Sequence, residues 1–438
     1  MYLVELGDSG AYGFAAPDAE SACQPPACSG IHGFMVMDND YEGYQPDPGG
    51  ALRATTAHEF NHLLQFAIAA TAESWFFEAS ATWMESQTYP AIDARTFYIA
   101  AFAGLSQLPI TDFGQETGGN NRSYGLYVWN LWLSDRHGPE VVRDAWFAAT
   151  EASNYSLAGY EAALQARGSS FAAEFAAFAA ATAAWDTGGF PAEPLGGVTY
   201  PEVARAGSLG DGETAAAVLD HTTYALYDLP ALPELTVNVA SPGGSSAGIA
   251  VVTAGAGVEV VADDLTDGSA TVTVTGADAA QRVTLAVVNS DIRLDAGKDP
   301  ASGEVTGWSG DRLAVTIGVN TAAGEPAPGP DPGPGPGPGP GPGEVLGRLV
   351  DGARVDGGGR GDPVGQAIQT SRAVHRGWRR PGRARHGGPL PGRAGGLGAG
   401  RGQRADPVHQ RPGTAGPAHG GGDHAGDGRE RPGARARR

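Results

Sequence analysis

The sequence predicts an α+β fold, in which a small N-terminal sheet and a mainly helical domain are followed by an all-β sandwich domain and a disordered tail. From about Leu52 onward, apolar residues recur at the spacing of an amphipathic helix. From about Thr214 the spacing changes to the alternation that is typical of strands. A proline-glycine tract, residues 329–343 at its core, then ends the part of the chain that can form a core.

The N-terminal 48 residues predict short strands, because the segments YLVEL, AYGFAAP and HGFMVMDND are separated by turns containing Asp and Pro. Helices are predicted from about residue 52 to 70 and from about 73 to 87. Further helical patterns follow at 93–106, 122–136, 139–151 and 157–185. We assign residues 1–195 to one domain and residues 196–213 to a connector.

Six segments after the connector alternate between apolar and polar residues, which predicts a β-sandwich over residues 214–322. They are ELTVNVAS, AGIAVVTAG, VEVVADDL, SATVTVTG, RVTLAVVNS and RLAVTIGVN. These strands contain no catalytic cluster, so we interpret the domain as an accessory or targeting domain. Asp263, Asp264 and Asp267 either bind Ca²⁺ or, as such residues more often do, form turns.

The Pro/Gly linker, residues 323–343, predicts an extended and semi-stiff connection. Residues 344–438 contain 18 Arg and 8 acidic residues and lack Phe, Tyr, Met, Cys and Lys, which predicts disorder. Two functional interpretations are a basic arm that binds polyanions and a tail that attaches the protein to the cell surface. A third is frame-shifted translation, since GC-rich DNA read in the wrong frame yields this mixture of residues. Sequencing the gene across the tract tests the third interpretation, since a confirmed reading frame would exclude it.

Charge divides the chain at the same tract. The formal net charge is −20, but residues 1–343 carry 41 acidic and 11 basic residues, so the folded part is strongly acidic. Such a surface favours solubility and disfavours binding of nucleic acid by the folded domains. No run of apolar residues approaches the length of a membrane-spanning helix, so we expect no transmembrane segment.

Cys23 and Cys28, in CQPPAC, predict a short extracellular disulfide loop, because a two-cysteine metal site needs further ligands from elsewhere. The start, MYLVELGDSGAYGF, resembles an interior strand and turn and lacks the basic and apolar regions of a signal peptide. We therefore expect Met1 to lie inside a longer gene product that carries a signal upstream. The expected location is secreted or attached to the cell surface.

The segment HEFNH, residues 58–62, fits the pattern HExxH in a helical context. Residues four positions apart lie on one face of a helix, so His58 and His62 can both bind one Zn²⁺. Glu59, beside the first of these ligands, is then placed to act as general base on a water molecule.

The alternative interpretation of this segment is a helix whose polar residues face solvent. Phe60, Leu63 and Leu64 argue against that alternative, because their presence indicates that the helix is buried. Two buried histidines then need partners.

A catalytic zinc ion needs a third protein ligand and one open coordination position. The downstream segment WFFEASATWMES, residues 75–86, supplies Glu78 and Glu85. Here the chain resembles the gluzincin peptidases, in which HExxH is followed by a helix that reads LNEGFAxxxE. The resemblance implies that Glu78 is the third ligand and Glu85 the trailing acid, while Glu73 and Glu85 remain rival ligands. Because His62 is not followed by xxGxxH, a three-histidine metzincin site is excluded.

The resemblance covers about residues 30–150. It is strongest with uncharacterised secreted bacterial metalloproteases that carry HEFxHxxQ and WxxEAxAxWxE. The interval between His62 and Glu78 is shorter than is usual in gluzincins, so the turn at residues 71–73 must be tight.

Gluzincins also use a tyrosine to stabilise the oxyanion, in a segment that reads YxKGAxxxxxL. Residues 123–139, SYGLYVWNLWLSDRHGP, are similar and place Tyr124 at the tyrosine position, with Tyr127 as the second candidate. The alternative for either tyrosine is a core aromatic residue on a Trp-rich helix. His137 is another candidate electrophile, although a histidine there more often caps the C-terminus of a helix.

Together these residues predict a zincin-like metallopeptidase domain that hydrolyses peptide bonds in extracellular proteins or peptides. Zn²⁺ would be held by His58, His62 and Glu78. Glu59 would act as general base and Tyr124 as oxyanion donor. One rival is a non-catalytic surface adhesin that retains a zincin-like fold, and another is a structural zinc in a protein whose β-sandwich alone carries the function. The intact motif argues against the adhesin, because a degenerate enzyme usually loses its base first.

Overall fold

A computed structural model of the chain describes residues 1–6, 11–18, 29–113, 121–188, 190–241, 247–265, 267–293 and 312–321. The fold contains helices and sheets, with a helical N-terminal region and a later β-rich region. In the described part of the chain, no helix has both the length and the apolar character needed to cross a membrane. The predicted disulfide loop of Cys23 and Cys28, the Pro/Gly linker and the tail lie outside the described residues.

The three N-terminal strands form one small sheet. They are β1 (Tyr2–Val4), β2 (Gly13–Pro17) and β3 (Gly33–Asp38), and β3 lies in the middle, parallel to β1 and antiparallel to β2. The sheet packs closely on the first helix. A Cβ atom at Gly33 would lie 3.0 Å from a side-chain carbon of Leu63 and 2.7 Å from the carbonyl oxygen of Ala16. Glycine at this position therefore permits the close approach of sheet and helix.

The helical region consists of α1 to α8. These helices are α1 (Pro48–Ala69), α2 (Ser74–Thr88), α3 (Tyr98–Gly104), α4 (Arg122–Gly125), α5 (Tyr127–His137), α6 (Glu140–Glu151), α7 (Ser156–Gln165) and α8 (Phe171–Thr182). Helix α1 begins after Asp47, whose side chain accepts a hydrogen bond from the backbone N–H of Gly50 at 2.9 Å. This is the usual N-cap arrangement, and it fixes the start of the helix that carries the motif.

The alanine-rich run at 157–185, predicted as one helical segment, is divided into α7 and α8. Gly168, between them, has φ +77, in the left-handed region that glycine adopts at low cost. Ser170 then caps α8 by accepting from the backbone N–H of Ala173. The glycine turn and the serine cap therefore interrupt the helix, although alanine favours its continuation.

Two of the three apolar residues from which the burial of α1 was predicted are themselves exposed. Phe60 and Leu64 are 54% and 45% exposed, whereas His58, Glu59 and His62 are 0%, 0% and 3% exposed. The helix is buried, as predicted, and its buried side carries the polar motif residues as well as apolar ones such as Phe66. The two histidines are hydrogen-bonded to Glu78 and Glu85 of α2 and to Gln65 of α1.

The β-rich region contains strands β4 to β12. They are β4 (Gly207–Ser208), β5 (Thr214–Leu219), β6 (Thr223–Leu229), β7 (Glu234–Ala240), β8 (Ala247–Ala254), β9 (Val258–Asp264), β10 (Ser269–Thr275), β11 (Arg282–Asn289) and β12 (Leu313–Val319). One sheet has the order β10-β7-β12-β5 and the other the order β4-β6-β11-β8-β9. Strand β4 falls within the predicted connector, where it pairs in parallel with β6.

The side chains of the two sheets share one apolar core. Val237 and Ile317 of the four-stranded sheet belong to the same cluster as Val251 and Leu285 of the five-stranded sheet. The opposite face of the five-stranded sheet packs on the helical region, where Val288 joins the helical core. Strands β8 and β11 are therefore buried on both faces, which explains why their sequences are almost continuously apolar.

Gly125 lies at a close contact between α3 and α4. A Cβ atom at this position would lie 2.2 Å from the carbonyl oxygen of Tyr98, because α4 and α3 are in close contact there. We expect Gly125→Ala to destabilise the protein by about 1–3 kcal/mol in denaturant unfolding, as overpacking does elsewhere. The matched control is Gly104→Ala, where no heavy atom lies within 4 Å and stability should be unchanged or slightly raised. Equal effects of the two substitutions would contradict this account of the α3–α4 contact.

Candidate metal centre

The two motif histidines lie one turn apart on α1, with ring centroids 4.7 Å from each other. Glu78 faces both of them from α2. Its Oε2 atom lies 3.0 Å from His58 Nε2 and 3.6 Å from His62 Nε2. Potential ligand atoms of the three residues all lie within 4.8 Å of one another, so this buried group could hold a metal ion.

A short connection makes the convergence possible. Helix α1 ends at Ala69 and α2 begins at Ser74, so only residues 70–73 link them, in agreement with the tight turn that the sequence requires. Of the two rival ligands, Glu73 lies away from the group. Its carboxylate accepts from the backbone N–H of Ser156 at 3.0 Å and thereby satisfies the start of α7.

Glu85, the other rival ligand, contacts His58. Its Oε1 lies 2.8 Å from His58 Nδ1, on the far side of the ring from Glu78. A carboxylate in this position holds the proton on Nδ1, orients the imidazole and increases its basicity towards a metal at Nε2. Glu85 therefore contacts His58 alone, whereas Glu78 faces both histidines.

His62 has an equivalent partner that the sequence analysis missed. Its Nδ1 atom lies 2.6 Å from Oε1 of Gln65, one turn further along α1. The signal was present, since the pattern HEFxHxxQ puts this glutamine on the same helix face as the histidines. Both imidazoles thus direct Nε2 towards one point and engage Nδ1 with an oxygen acceptor.

The group is rich in buried carboxylates. Glu59, Glu78 and Glu85 are 0%, 0% and 3% exposed, and no Arg or Lys among the described residues forms an ion pair with them. Several polar atoms here are buried without a hydrogen-bond partner, namely both carboxylate oxygens of Glu59, Oε1 of Glu78 and Nε2 of His62. Buried polar atoms are costly when unpaired, and a divalent cation would satisfy those of Glu78 and His62 together.

The titration of these residues follows from burial and from their mutual contacts. Burial raises the pKa of Glu59 to about 7, although His62 and His58 act in the opposite sense. For Glu78, the effect of burial is outweighed by His62 and His58, which lower its pKa to about 2. Burial disfavours the charged form of His58, but its hydrogen bonds to Glu78 and Glu85 prevail and raise its pKa to about 10.

Tyr124 lies at the group, as the sequence predicts. Its ring stacks on His58 with centroids 5.8 Å apart and on Tyr98 with centroids 5.0 Å apart. Burial, followed by the charge of Glu78, holds the pKa of Tyr124 well above its usual value, so its hydroxyl stays protonated and able to donate. The contact with Tyr98 was not foreseen, because residues 98 and 124 lie far apart in the sequence.

The buried Arg122 fixes the short helix that carries Tyr124. Its guanidinium donates to the backbone oxygens of Leu105, Leu108 and Asp112 at 2.9, 2.8 and 3.2 Å. A buried guanidinium that is satisfied by carbonyl oxygens ties α4 to the segment after α3. Tyr124 is therefore presented from a rigid support.

Two other candidates lie elsewhere. Burial raises the pKa of Tyr127, and the next largest contributions come from the nearby Glu193 and Tyr200. Tyr127 therefore faces a different part of the core. His137, in the last turn of α5, has Nε2 2.9 Å from Oε1 of Glu174. This agrees with a role at the helix C-terminus and separates His137 from the metal group.

The contacts of His58 predict how metal binding depends on pH. In chelator-treated protein below about pH 10, His58 carries a proton on Nε2 because both of its nitrogens face carboxylates. A metal ion must displace that proton, so apparent affinity falls as pH falls. We expect about a tenfold change per pH unit, and hence about 100-fold between pH 6 and 8, in competition with a chelator of known proton affinity. An affinity that does not change over this range would contradict the assignment of His58 as a ligand.

Comparison with known proteins gives limited matches. A family model described as a family of unknown function (DUF6055) matches residues 46–192, a span that contains α1, α2 and Tyr124. No curated protein matches the chain.

Among solved structures, the chain is similar to the pre-peptidase C-terminal domain of a collagenase from Bacillus anthracis, with 9% identity and a TM-score of 0.18. That match covers 27% of this chain and 99% of the other. It is also similar to CorA, a surface-associated copper-binding protein of Methylomicrobium album BG8, with 11% identity and a TM-score of 0.17. Here 26% of this chain and 98% of the other are covered.

Proposed function

We propose that this chain is a zinc-dependent peptidase that hydrolyses peptide bonds in extracellular proteins or peptides. The observation that carries the proposal is the convergence of His58, His62 and Glu78 beside Glu59, whose carboxylate is buried and makes no hydrogen bond. This combination matches the division of labour in HExxH peptidases, in which three side chains hold the metal and the fourth moves a proton.

The donor set favours zinc over the other common divalent ions. Two imidazole nitrogens and one carboxylate form a three-residue set of the kind that catalytic zinc sites use, with a fourth position left for water or substrate. Calcium and magnesium prefer sites made entirely of oxygen. The two supported imidazoles therefore point to a borderline metal such as zinc.

When bound, zinc would act as a Lewis acid that activates water and polarises the substrate carbonyl. Glu59 accepts the proton of the attacking water and delivers it to the leaving amine. Its raised pKa of about 7 suits both steps, because a group that titrates near the working pH can take up and release a proton readily. Tyr124 remains protonated and donates to the oxyanion, a contribution commonly worth about 3–4 kcal/mol.

The proposal also assigns roles to the domains of the chain. The helical region would be a zincin-like domain of gluzincin type, and the two later sheets, which share one core, would form a β-sandwich that serves as an accessory domain. The protein would be secreted or attached to the cell surface, with the C-terminal region as the means of attachment.

One observation favours a second candidate function. His58, Glu59 and Glu78 are fully buried, as is typical of a structural metal site, and such a site would suit a surface protein that binds its partner without turnover.

Zinc content and casein hydrolysis, measured on the full chain, separate the candidates. The peptidase should contain one zinc per chain and lose hydrolysis on chelation, and zinc should restore it. One zinc per chain without hydrolysis of casein or of a random peptide mixture would instead support the structural site. Absence of bound zinc would refute both forms of the proposal.

A further inference from the structure

His62 is held by a chain of hydrogen bonds that runs through three helices. Its Nδ1 lies 2.6 Å from Oε1 of Gln65 on α1, and Nε2 of Gln65 lies 2.9 Å from Oγ of Ser80 on α2. The indole Nε1 of Trp146, on α6, lies 3.0 Å from the same Ser80 oxygen. The hydroxyl of Ser80 lies 2.5 Å from the backbone oxygen of Phe76.

Donor and acceptor chemistry gives this chain a single direction. An indole N–H can only donate, and a backbone carbonyl can only accept. Ser80 therefore accepts from Trp146 and gives its only proton to the carbonyl of Phe76. The remaining lone pair of Ser80 needs a donor, and the side-chain NH₂ of Gln65 is the group that faces it.

A second contact fixes the orientation of the Gln65 amide independently. The backbone oxygen of Phe77 lies 3.1 Å from Nε2 of Gln65. If the amide were rotated by half a turn, two oxygens would face each other at this distance, with no proton between them. The NH₂ group must therefore face α2, and Oε1 must face His62.

The orientation of the Gln65 amide determines which nitrogen of His62 carries the proton. Because Gln65 offers His62 only an acceptor, the proton of the neutral imidazole resides on Nδ1 and the lone pair on Nε2. The latter is the nitrogen directed towards Glu78 and is otherwise without a hydrogen bond. We propose that Gln65 is a positioning residue, held by Ser80 and Trp146, that fixes His62 in its metal-binding tautomer. This inference rests on the metal site of the proposed function.

The charge of the surroundings explains why an amide suits this position. His58 receives its support from the carboxylate of Glu85, and Glu59 and Glu78 are buried nearby. A fourth carboxylate would add a further buried negative charge to three carboxylates that, when ionised, already exceed the charge of one divalent ion. Gln65 supplies the same acceptor geometry without that charge.

The test measures Zn²⁺ affinity of the full chain by competition with a chelator. We expect Gln65→Leu to weaken binding by about 10–100-fold, the usual cost of losing such a supporting partner. Ser80→Ala should give a smaller loss, because the acceptor remains and the Gln65 amide keeps its hydrogen bond to the backbone oxygen of Phe77. The matched control is Gln165→Leu on the exposed side of α7, which should leave zinc affinity unchanged.

Two further readouts separate positioning from packing. In ¹⁵N spectra of the histidine side chains, the zinc-loaded wild-type protein should show His62 protonated at Nδ1. Gln65→Met keeps the length of the side chain but removes the acceptor, so it should weaken zinc binding as much as Gln65→Leu if the acceptor, and not the filled space, is what matters. The proposal is overturned if Gln65→Leu or Gln65→Met binds zinc as tightly as wild type, or if the proton resides on Nε2.

These measurements do not require turnover. A wild-type chain that binds zinc but hydrolyses no peptide would refute the peptidase proposal, while the affinities of the Gln65 variants would still decide the role of this residue. A wild-type chain that binds no zinc would overturn both.

Discussion

Replacing Glu59 with Gln is expected to abolish peptide-bond hydrolysis while leaving the metal in place. The amide has nearly the same shape as the carboxylate but cannot accept a proton from water, so the step that we propose for Glu59 would be lost. General-base catalysis usually contributes about 10²–10⁴-fold, and we expect kcat to fall by at least that amount with casein as substrate. Zinc content, measured by elemental analysis, should stay at the wild-type level because Glu59 makes no contact with the ligand residues through hydrogen bonds.

The matched control for this substitution is Glu151→Gln, at the exposed end of α6. It makes the same chemical change far from the motif and should retain wild-type activity and stability. Two results would contradict the assignment of Glu59: full activity in the Glu59→Gln variant, or loss of zinc together with loss of activity. The second result would mean that Glu59 holds the metal site together and does not act as the base.

Removing the metal is expected to destabilise the helical region strongly. Without a cation, three buried carboxylates lie close together and Nε2 of His62 and Oε1 of Glu78 are left unsatisfied. A ligand that binds only the folded state at about 1,000 times its Kd adds about 4 kcal/mol of stability. For a domain of this size that corresponds to about 10 °C in Tm, which thermal unfolding with and without a strong chelator would measure.

Glu78→Gln provides the comparison for that experiment. It removes the charged ligand but preserves the size of the side chain, so its Tm should be low and nearly independent of zinc. If the wild-type protein has the same Tm in chelator and in zinc, the carboxylates are accommodated without a cation. The metal site would then be wrong, whatever the activity measurements show.

The local pattern of the sequence was sufficient for much of the fold. The alternating segments before residue 48 and after residue 214 lie in strands, and the helical periodicity places α1 and α2 correctly. These predictions succeed because a period of two or of about four residues is a local property of the backbone. The exposure of Phe60 and Leu64 was not foreseen for the same reason, since periodicity does not show which face is covered.

At the candidate site, the sequence supplied the pair His58 and His62 and the resemblance supplied Glu78. The spacing of the two histidines along one helix can be predicted without the tertiary structure. The support of His58 by Glu85 and of His62 by Gln65 required the structure, because it depends on the rotation of α1 relative to α2. The contribution of Trp146 depends on a third helix and has no signal in the motif.

The sequence by itself therefore determined the residue types and the helix that present two imidazoles and a carboxylate with a neighbouring base. The tertiary structure decided which carboxylate supports His58, which tyrosine stacks on it, and that Phe60 and Leu64 of α1 are exposed. The physical reason is that spacing along one helix is set by covalent geometry. The pairing of side chains from different helices depends on how those helices pack, and that is a property of the whole core.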